Sequence, residues 1–265
     1  MDLILLFKAF IQGLVEGATE FLPISSTGHL IIVGDLLSFN DDKAKVFDIV
    51  IQLAAILAVC WEYRRKLMDT AVHITRQTKA QNFTLNLIIA FLPAAVIGLV
   101  FHDKIKQYLF SPLTVAIALI LGGLAILLIE KMPLKGKIVS IDAISQKQAW
   151  QIGFAQAAAL IPGVSRSGAT ILGGMLFGLN RHTATEFSFF LAIPIMFAAT
   201  GYDLLKNRHL LSTDDLGMFA VGFVTAFVSA LIAIKFLLRF VASHDFRIFA
   251  WYRIALGLVV IWYFN

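Results

Sequence analysis

The sequence predicts an all-α integral membrane protein with six transmembrane helices, two re-entrant helical hairpins and an inverted-topology internal repeat. Three observations carry this. The chain of 265 residues is 59% hydrophobic and 15% charged, with 23 Phe, whereas a soluble domain would carry about a quarter charged residues. Its charges cluster between long apolar runs, the pattern of a chain that crosses a bilayer. The apolar text also breaks twice on the same kind of polar phrase, Pro23-Ile-Ser-Ser-Thr-Gly-His29 and Pro162-Gly-Val-Ser-Arg-Ser-Gly-Ala-Thr170.

Each element follows from these patterns. Segments 3–21 and 27–38 are too short or too polar to span, and they flank the first phrase. Segments 149–161 and 168–178 flank the second. Proline and glycine stop one short helix and a second follows, which is how a re-entrant hairpin reads. The runs 46–62, 83–101, 111–130, 184–202, 216–238 and 248–264 each approach the ~20 residues a bilayer requires. The first segment does not read as a cleavable signal: it carries Lys8, Gln12, Glu16 and Glu20 and lacks a basic start and a small-residue cleavage site.

The chain reads as one membrane domain, 1–265, made of a first half, 1–131, and a second, 147–265. The segment from Gly13 to Pro23 runs parallel to that from Gly153 to Pro162, with one gap. Glu16 falls opposite Gln156, Ser25 opposite Ser165, Gly28 opposite Gly168, and the run from Phe47 opposite the run from Phe187. Three spans per half is odd, so the second half enters inverted. Basic loops set the orientation. Residues 63–81 (Arg64, Arg65, Lys66, Arg76, Lys79) and 131–148 (Lys131, Lys135, Lys137, Lys147) fall on one side with Arg181, Arg239 and Arg247. Lys43, Lys45, Lys104, Lys106, Lys206 and Arg208 fall on the other; twelve against six makes the first side cytoplasmic. The hairpins then enter from opposite faces and their tips meet near the midplane.

Composition also excludes. Cys60 is the only cysteine, so there is neither an internal disulfide nor a thiolate metal cage. The net charge of +5 belongs to loops between spans, so no nucleic acid is expected as partner. No P-loop lysine motif is present, which argues against nucleotide hydrolysis.

The polar phrases carry the chemistry. Lys8, Gln12, Glu16 and Glu20 are spaced by four, a single stripe on a helix. Carboxylates one turn apart inside a membrane segment are rare and usually functional. Glu16 and Glu20 suit a hard divalent cation, Mg²⁺ or Ca²⁺, with phosphate completing its shell. Ser25, Ser26, Thr27 and His29 follow at once, and a hydroxyl near an imidazole and a carboxylate has the makings of an activated nucleophile. Serine and threonine before an apolar run are also helix caps, and one of these three is expected to be so. In the second phrase, Ser165, Arg166, Ser167, Gly168 and Thr170 open a helix. Free backbone N–H groups, hydroxyls and a guanidinium there form an anion site suited to phosphate. Arg166 has no nearby carboxylate in sequence, so a salt bridge to a distant Glu is the alternative; the two readings merge if that residue is Glu16 or Glu20. The pairs Gly13/Gly17 and Gly122/Gly123 serve close packing inside the chain or a homodimer.

Taken together, the phrases suit metal-assisted phosphoryl transfer, and these residues resemble the undecaprenyl-diphosphate phosphatase family, also called the bacitracin-resistance family. That family's E/Q-x-x-x-E motif is matched by Glu16-Gly-Ala-Thr-Glu20, continued by Phe21-Leu-Pro-Ile-Ser-Ser-Thr-Gly-His29. Its P-G-x-S-R-S-x-x-T motif is matched by residues 162–170, and the likeness extends to Glu186-Phe-Ser-Phe-Phe-Leu-Ala-Ile-Pro194. The resemblance implies a multi-pass enzyme of the bacterial inner membrane, dependent on a divalent metal, with a site reached from the periplasmic side. It would remove the terminal phosphate of undecaprenyl diphosphate among membrane lipids, recycling the carrier for cell-wall synthesis and conferring bacitracin resistance. On this reading Arg166, Ser165 and backbone near Ser167 hold phosphate, and Ser25, Thr27, Gly168 and Thr170 line the phosphate site. Glu16 and Glu20 bind metal or act as base. Ser26 is the first candidate nucleophile with His29 assisting; His29 or water are the others. The alternative function is a transporter of prenyl phosphate lipids, which inverted repeats with broken helices would also suit.

Overall fold

The computed structural model describes residues 3–109, 111–134, 136–207 and 215–264. Lys135 and Arg208, both used in comparing the basic loops, lie outside the described residues, as do the two ends of the 1–265 domain. Among the described residues the chain is helical, with α1 Leu3–Thr19, α2 Ser26–Leu36, α3 Asp42–Glu62, α4 Arg64–His73, α5 Thr78–Leu109 and α6 Pro112–Lys131 in the first half. The second half holds α7 Gln146–Ala157, α8 Arg166–Leu176, α9 Arg181–Lys206, α10 Leu216–Val241 and α11 Arg247–Phe264.

Local signals account for the helix starts. Asp41 accepts from Ala44 N at 2.8 Å, Ser111 from Thr114 N at 3.2 Å with Pro112 next, and Asn180 from Thr183 N at 2.7 Å. Ser145 and Gln148 make a reciprocal capping box at α7. Each satisfies donors that a helix start leaves open.

All six expected spans are helices. Five of them are long and apolar enough to cross a membrane; Val46–Glu62 meets that test together with Arg64–His73, to which it is bent by 73°. The basic segment 63–81, read as a loop, is therefore partly helical, because Arg64–His73 continues the chain sideways after Tyr63. Helix α5 likewise runs on to Leu109, past the apolar run. The protein is a multi-pass membrane protein. Its outer surface is apolar, with Leu99, Leu128, Trp251 and Trp262 all exposed, as a lipid-facing surface requires.

The four shorter segments form two helix–break–helix units, α1/α2 and α7/α8. Their packing is reciprocal. Helix α1 of the first half lies on α10 of the second, α7 of the second lies on α5 of the first, and the last helices of the halves, α6 and α11, lie on each other. The close approaches use matched glycines. A Cβ on Gly13 would meet Gly222 O at 2.5 Å, and one on Gly153 would meet Ala90 O at 2.6 Å. Gly17 and Gly123 are also spent on contacts within the chain, to Ala226 and Ser229 and to Ala250 respectively, which answers the choice between internal packing and a dimer face in favour of packing.

At the centre stands α9. Residues Phe187, Phe189, Phe190, Leu191 and Ala192 are all essentially inaccessible. Phe189 meets Phe21 edge-on at 5.5 Å and Phe190 meets Phe83 edge-on at 5.0 Å, a geometry aromatic rings favour. The Phe21 contact anchors the first break against the middle of the molecule.

Candidate active site

Both breaks use the same backbone device. Ser25, before α2, has φ 67°, and Ser165, before α8, has φ 76°. These are left-handed conformations in non-glycine residues, which cost about 1–3 kcal/mol each and gather at functional sites. The aligned serines are thus equivalent in three dimensions. Their side chains are not. Ser165 Oγ accepts from Gly168 N at 3.1 Å and pairs with Ser167 Oγ at 3.0 Å, so it caps α8. Ser25 makes no side-chain cap bond at α2; its carbonyl accepts instead from His29 Nδ1 at 2.8 Å.

The structure joins the two phrases through Arg166. Its Nη2 donates to Glu20 Oε1 at 2.9 Å and its Nη1 to Ser188 O at 3.1 Å. The guanidinium also lies 5.7 Å from the centre of the Phe21 ring. Arg166 and Glu20 are only 13% and 12% exposed, and Arg166 Nε is buried without a partner. The distant Glu is therefore Glu20. On its other oxygen Glu20 accepts from Ser26 Oγ at 2.5 Å. Ser167 Oγ donates to Leu22 O at 2.7 Å, a second tie between the breaks. Thr170 Oγ1 and Ser188 Oγ are 2.6 Å apart. Thr27 is half-buried beside Ser26, and Gly168 is buried in the first turn of α8.

Two expected residues stand slightly apart. Glu16 is fully buried on α1, and neither carboxylate oxygen has a partner. Helix α1 ends at Thr19, and Glu20 sits in the turn just beyond it, its N–H still bonded to Glu16 O at 2.9 Å. His29 does not bond Ser26; its Nε2 meets Tyr252 Oη at 2.7 Å, with the two rings parallel. Because Nδ1 faces a carbonyl it carries the proton, and in the neutral ring Nε2 accepts from the tyrosine hydroxyl.

Several residues at this site were not picked out from sequence. Asp48, on α3, lies within electrostatic reach of Glu16, with a buried unpartnered Oδ1. Ser188, Tyr252 and Arg253 are the others. Arg253 carries a charge in the middle of the last apolar run, a signal sequence reasoning could have used.

The donor set tests the expected cation. Glu16 offers two unpartnered buried oxygens and Asp48 one, the hard oxygen donors that Mg²⁺ or Ca²⁺ takes. Both oxygens of Glu20 are committed to Arg166 and Ser26. Among the described residues no three acidic, His or Cys groups converge on a metal position. Mg²⁺ commonly uses one or two carboxylates plus substrate phosphates, and that pattern fits Glu16.

The fold and these contacts define a polytopic membrane protein with a buried polar centre built around an arginine–carboxylate pair. The chain belongs to the bacitracin resistance protein BacA family, whose model matches residues 9–259. Among its relatives are proteins named undecaprenyl-diphosphatase from Methylobacillus flagellatus, 63% identical over all of both chains, and from Nitrosospira multiformis, 61% identical over 98% of this chain and 96% of the relative. A third, of the same name, from Nitrosomonas europaea, is 61% identical over 98% of this chain and 95% of the relative.

Proposed function

We propose that this protein hydrolyses undecaprenyl diphosphate to undecaprenyl phosphate and inorganic phosphate. Family membership and the name shared by relatives near 60% identity support the substrate. The observation that carries the chemistry is Glu20 held between Arg166 and Ser26, with a serine-bearing break on one side and an arginine-bearing break on the other.

In this reading the diphosphate head lies between the breaks, and the prenyl tail leaves sideways into lipid. Arg166 turns its unpartnered Nε and its Nη groups to the phosphate oxygens. The hydroxyls of Ser165, Ser167, Thr170, Ser25 and Thr27 and the amide of Gly168 line the same space. Ser26 Oγ attacks the terminal phosphorus as its proton passes to Glu20 Oε2. The bond from phosphorus to the bridging oxygen breaks and undecaprenyl phosphate departs. Water then attacks phosphoserine, giving inorganic phosphate and restoring the hydroxyl. His29, held by Ser25 O and Tyr252, orients the first turn of α2. Glu16 would hold the divalent cation, Mg²⁺ or Ca²⁺, with Glu20 joining it only on releasing Arg166. When bound, the cation would neutralise phosphate charge. The two helix–break–helix units enter as re-entrant hairpins of an inverted repeat. The protein sits in the bacterial inner membrane with this site open to the periplasm, and a homodimer would have to use surfaces other than the glycine pairs.

The test is phosphate release by purified protein from undecaprenyl diphosphate with Mg²⁺ or Ca²⁺. Release that is lost in Arg166→Ala supports the reading. Intact lipid binding with no release would overturn it in favour of transport.

A further inference from the structure

Arg253 stands out as a guanidinium buried to 1% exposure in an apolar span, with no carboxylate bonded to it among the described residues. A charge in that position is expensive and is kept for a reason. Its partners are four backbone carbonyls from three places. Nη1 donates to Pro23 O at 3.1 Å in the first break, and Nη2 to Gly163 O at 3.0 Å in the second. Nη2 also reaches Ala118 O at 3.2 Å and Nε reaches Leu119 O at 3.3 Å, both on α6.

The two arms act on equivalent points. Pro23 is two residues before Ser25 and Gly163 two before Ser165, the pair with left-handed backbone. The next residues on are Ser26 and Arg166. A fork of planar donors can hold two carbonyls at fixed spacing and angle, and a lysine ammonium cannot. The space for it is built in. A Cβ on Gly122 would lie 2.0 Å from Nη2 and 2.6 Å from Cζ, so the guanidinium has room only because residue 122 is glycine.

We propose that Arg253 is a positioning residue that clamps the two breaks to each other and to α6, setting Ser26, Glu20 and Arg166 in line. The clamp touches none of those three side chains; it acts through the backbone that carries them. The inference rests on the phosphatase reading for its kinetic consequence but not for its structural one.

The full-length protein in detergent tests both. Arg253→Lys, Arg253→Met and Gly122→Ala are compared with wild type by thermal unfolding, by kcat and KM for phosphate release, and by hydrogen exchange in peptides covering 20–28 and 161–169. The expected result is a kcat lower by about 100-fold, as for an ångström-scale misplacement, with KM changed less than about threefold. Exchange should quicken in both peptides together by about tenfold, as local opening becomes easier. Arg253→Lys should rescue neither property, and Gly122→Ala should reproduce both by displacing the guanidinium. If Arg253→Met does not fold, the other two variants carry the test. Wild-type exchange in either peptide of Arg253→Lys, or a kcat within about threefold of wild type, would overturn the clamp. A wild type that releases no phosphate removes the phosphatase reading alone, and the exchange comparison still decides.

Discussion

Arg166 and Glu20 meet at 2.9 Å across 146 residues of sequence, one from each half of the chain. With both side chains nearly sealed from solvent, each depends on the other: taking one partner from a buried pair costs about 3–5 kcal/mol. Arg166→Ala should lower kcat about a hundredfold or more, since charge stabilisation at a phosphoryl transition state is worth about 3–4 kcal/mol. Combined with Glu20→Gln, the loss should fall short of the product of the single losses, because contacting residues couple. Phosphate-release kinetics on the four proteins measure this.

Ser26→Ala should remove both turnover and any covalent adduct, with a loss of at least about a thousandfold, as for other nucleophiles. Rapid acid quench of the wild type with labelled substrate should place phosphate on Ser26. A label on His29 instead would reassign the nucleophile.

Tyr252→Phe removes one hydrogen bond to a neutral ring, worth about 0.5–1.5 kcal/mol. Activity should therefore fall by less than about tenfold, with the His29 ring resonances shifted in an NMR spectrum of labelled protein. A loss as deep as that of Ser26→Ala would mean that Tyr252 takes part in the chemistry.

Glu16→Gln should weaken the stabilisation that Mg²⁺ or Ca²⁺ gives to thermal unfolding, independently of turnover. The unpartnered state of both Glu16 oxygens motivates this. An unchanged cation dependence of Tm would remove Glu16 as a ligand.

Outside the spans, Asp142 bonds Lys66 at 2.7 Å and Lys79 at 2.9 Å. Burial alone would raise its carboxyl, but the hydrogen bonds and charges of the two lysines outweigh this and hold it below its ordinary value of 3.8. A carboxyl depressed on folding stabilises above its unfolded value, and the contribution is lost as pH falls through the folded one. Asp142→Asn should cost about 1 kcal/mol or less at neutral pH, since the lysines are partly exposed. The difference in Tm between variant and wild type should begin to shrink as pH drops below about 4 and vanish below the folded value.

Much of this was legible in the residues. Apolar runs located five spans and the bent helix from Val46 that makes a sixth only together with Arg64–His73, and the two polar phrases located both breaks, because Pro, Gly and hydroxyls interrupt helices wherever they fall. Glu16, Ser26 and Arg166 stood out as polar groups where lipid was expected. Arg253 and Tyr252 did not, because they lie within a run that reads as one continuous span, and their partners are backbone and side chain from remote segments. Asp48 and Ser188 were one step away: each follows the phenylalanine, Phe47 or Phe187, that aligned the halves. Ser188 now bonds Thr170 and Arg166 in the second half, while Asp48 stands near Glu16 in the first. Sequence pattern could not assign His29 its partner, since that depends on which helix packs over the first break.

The reciprocal seating of α1 on α10 and α7 on α5 limits how this molecule can move. A rocking motion of one half against the other would lift Gly13 from Gly222 and Gly153 from Ala90 in the same stroke, tearing both tight seams without loosening either beforehand. The halves are hooked into each other, like two links of a chain. Any movement that keeps both seams closed is therefore confined to the breaks and the helices beside them.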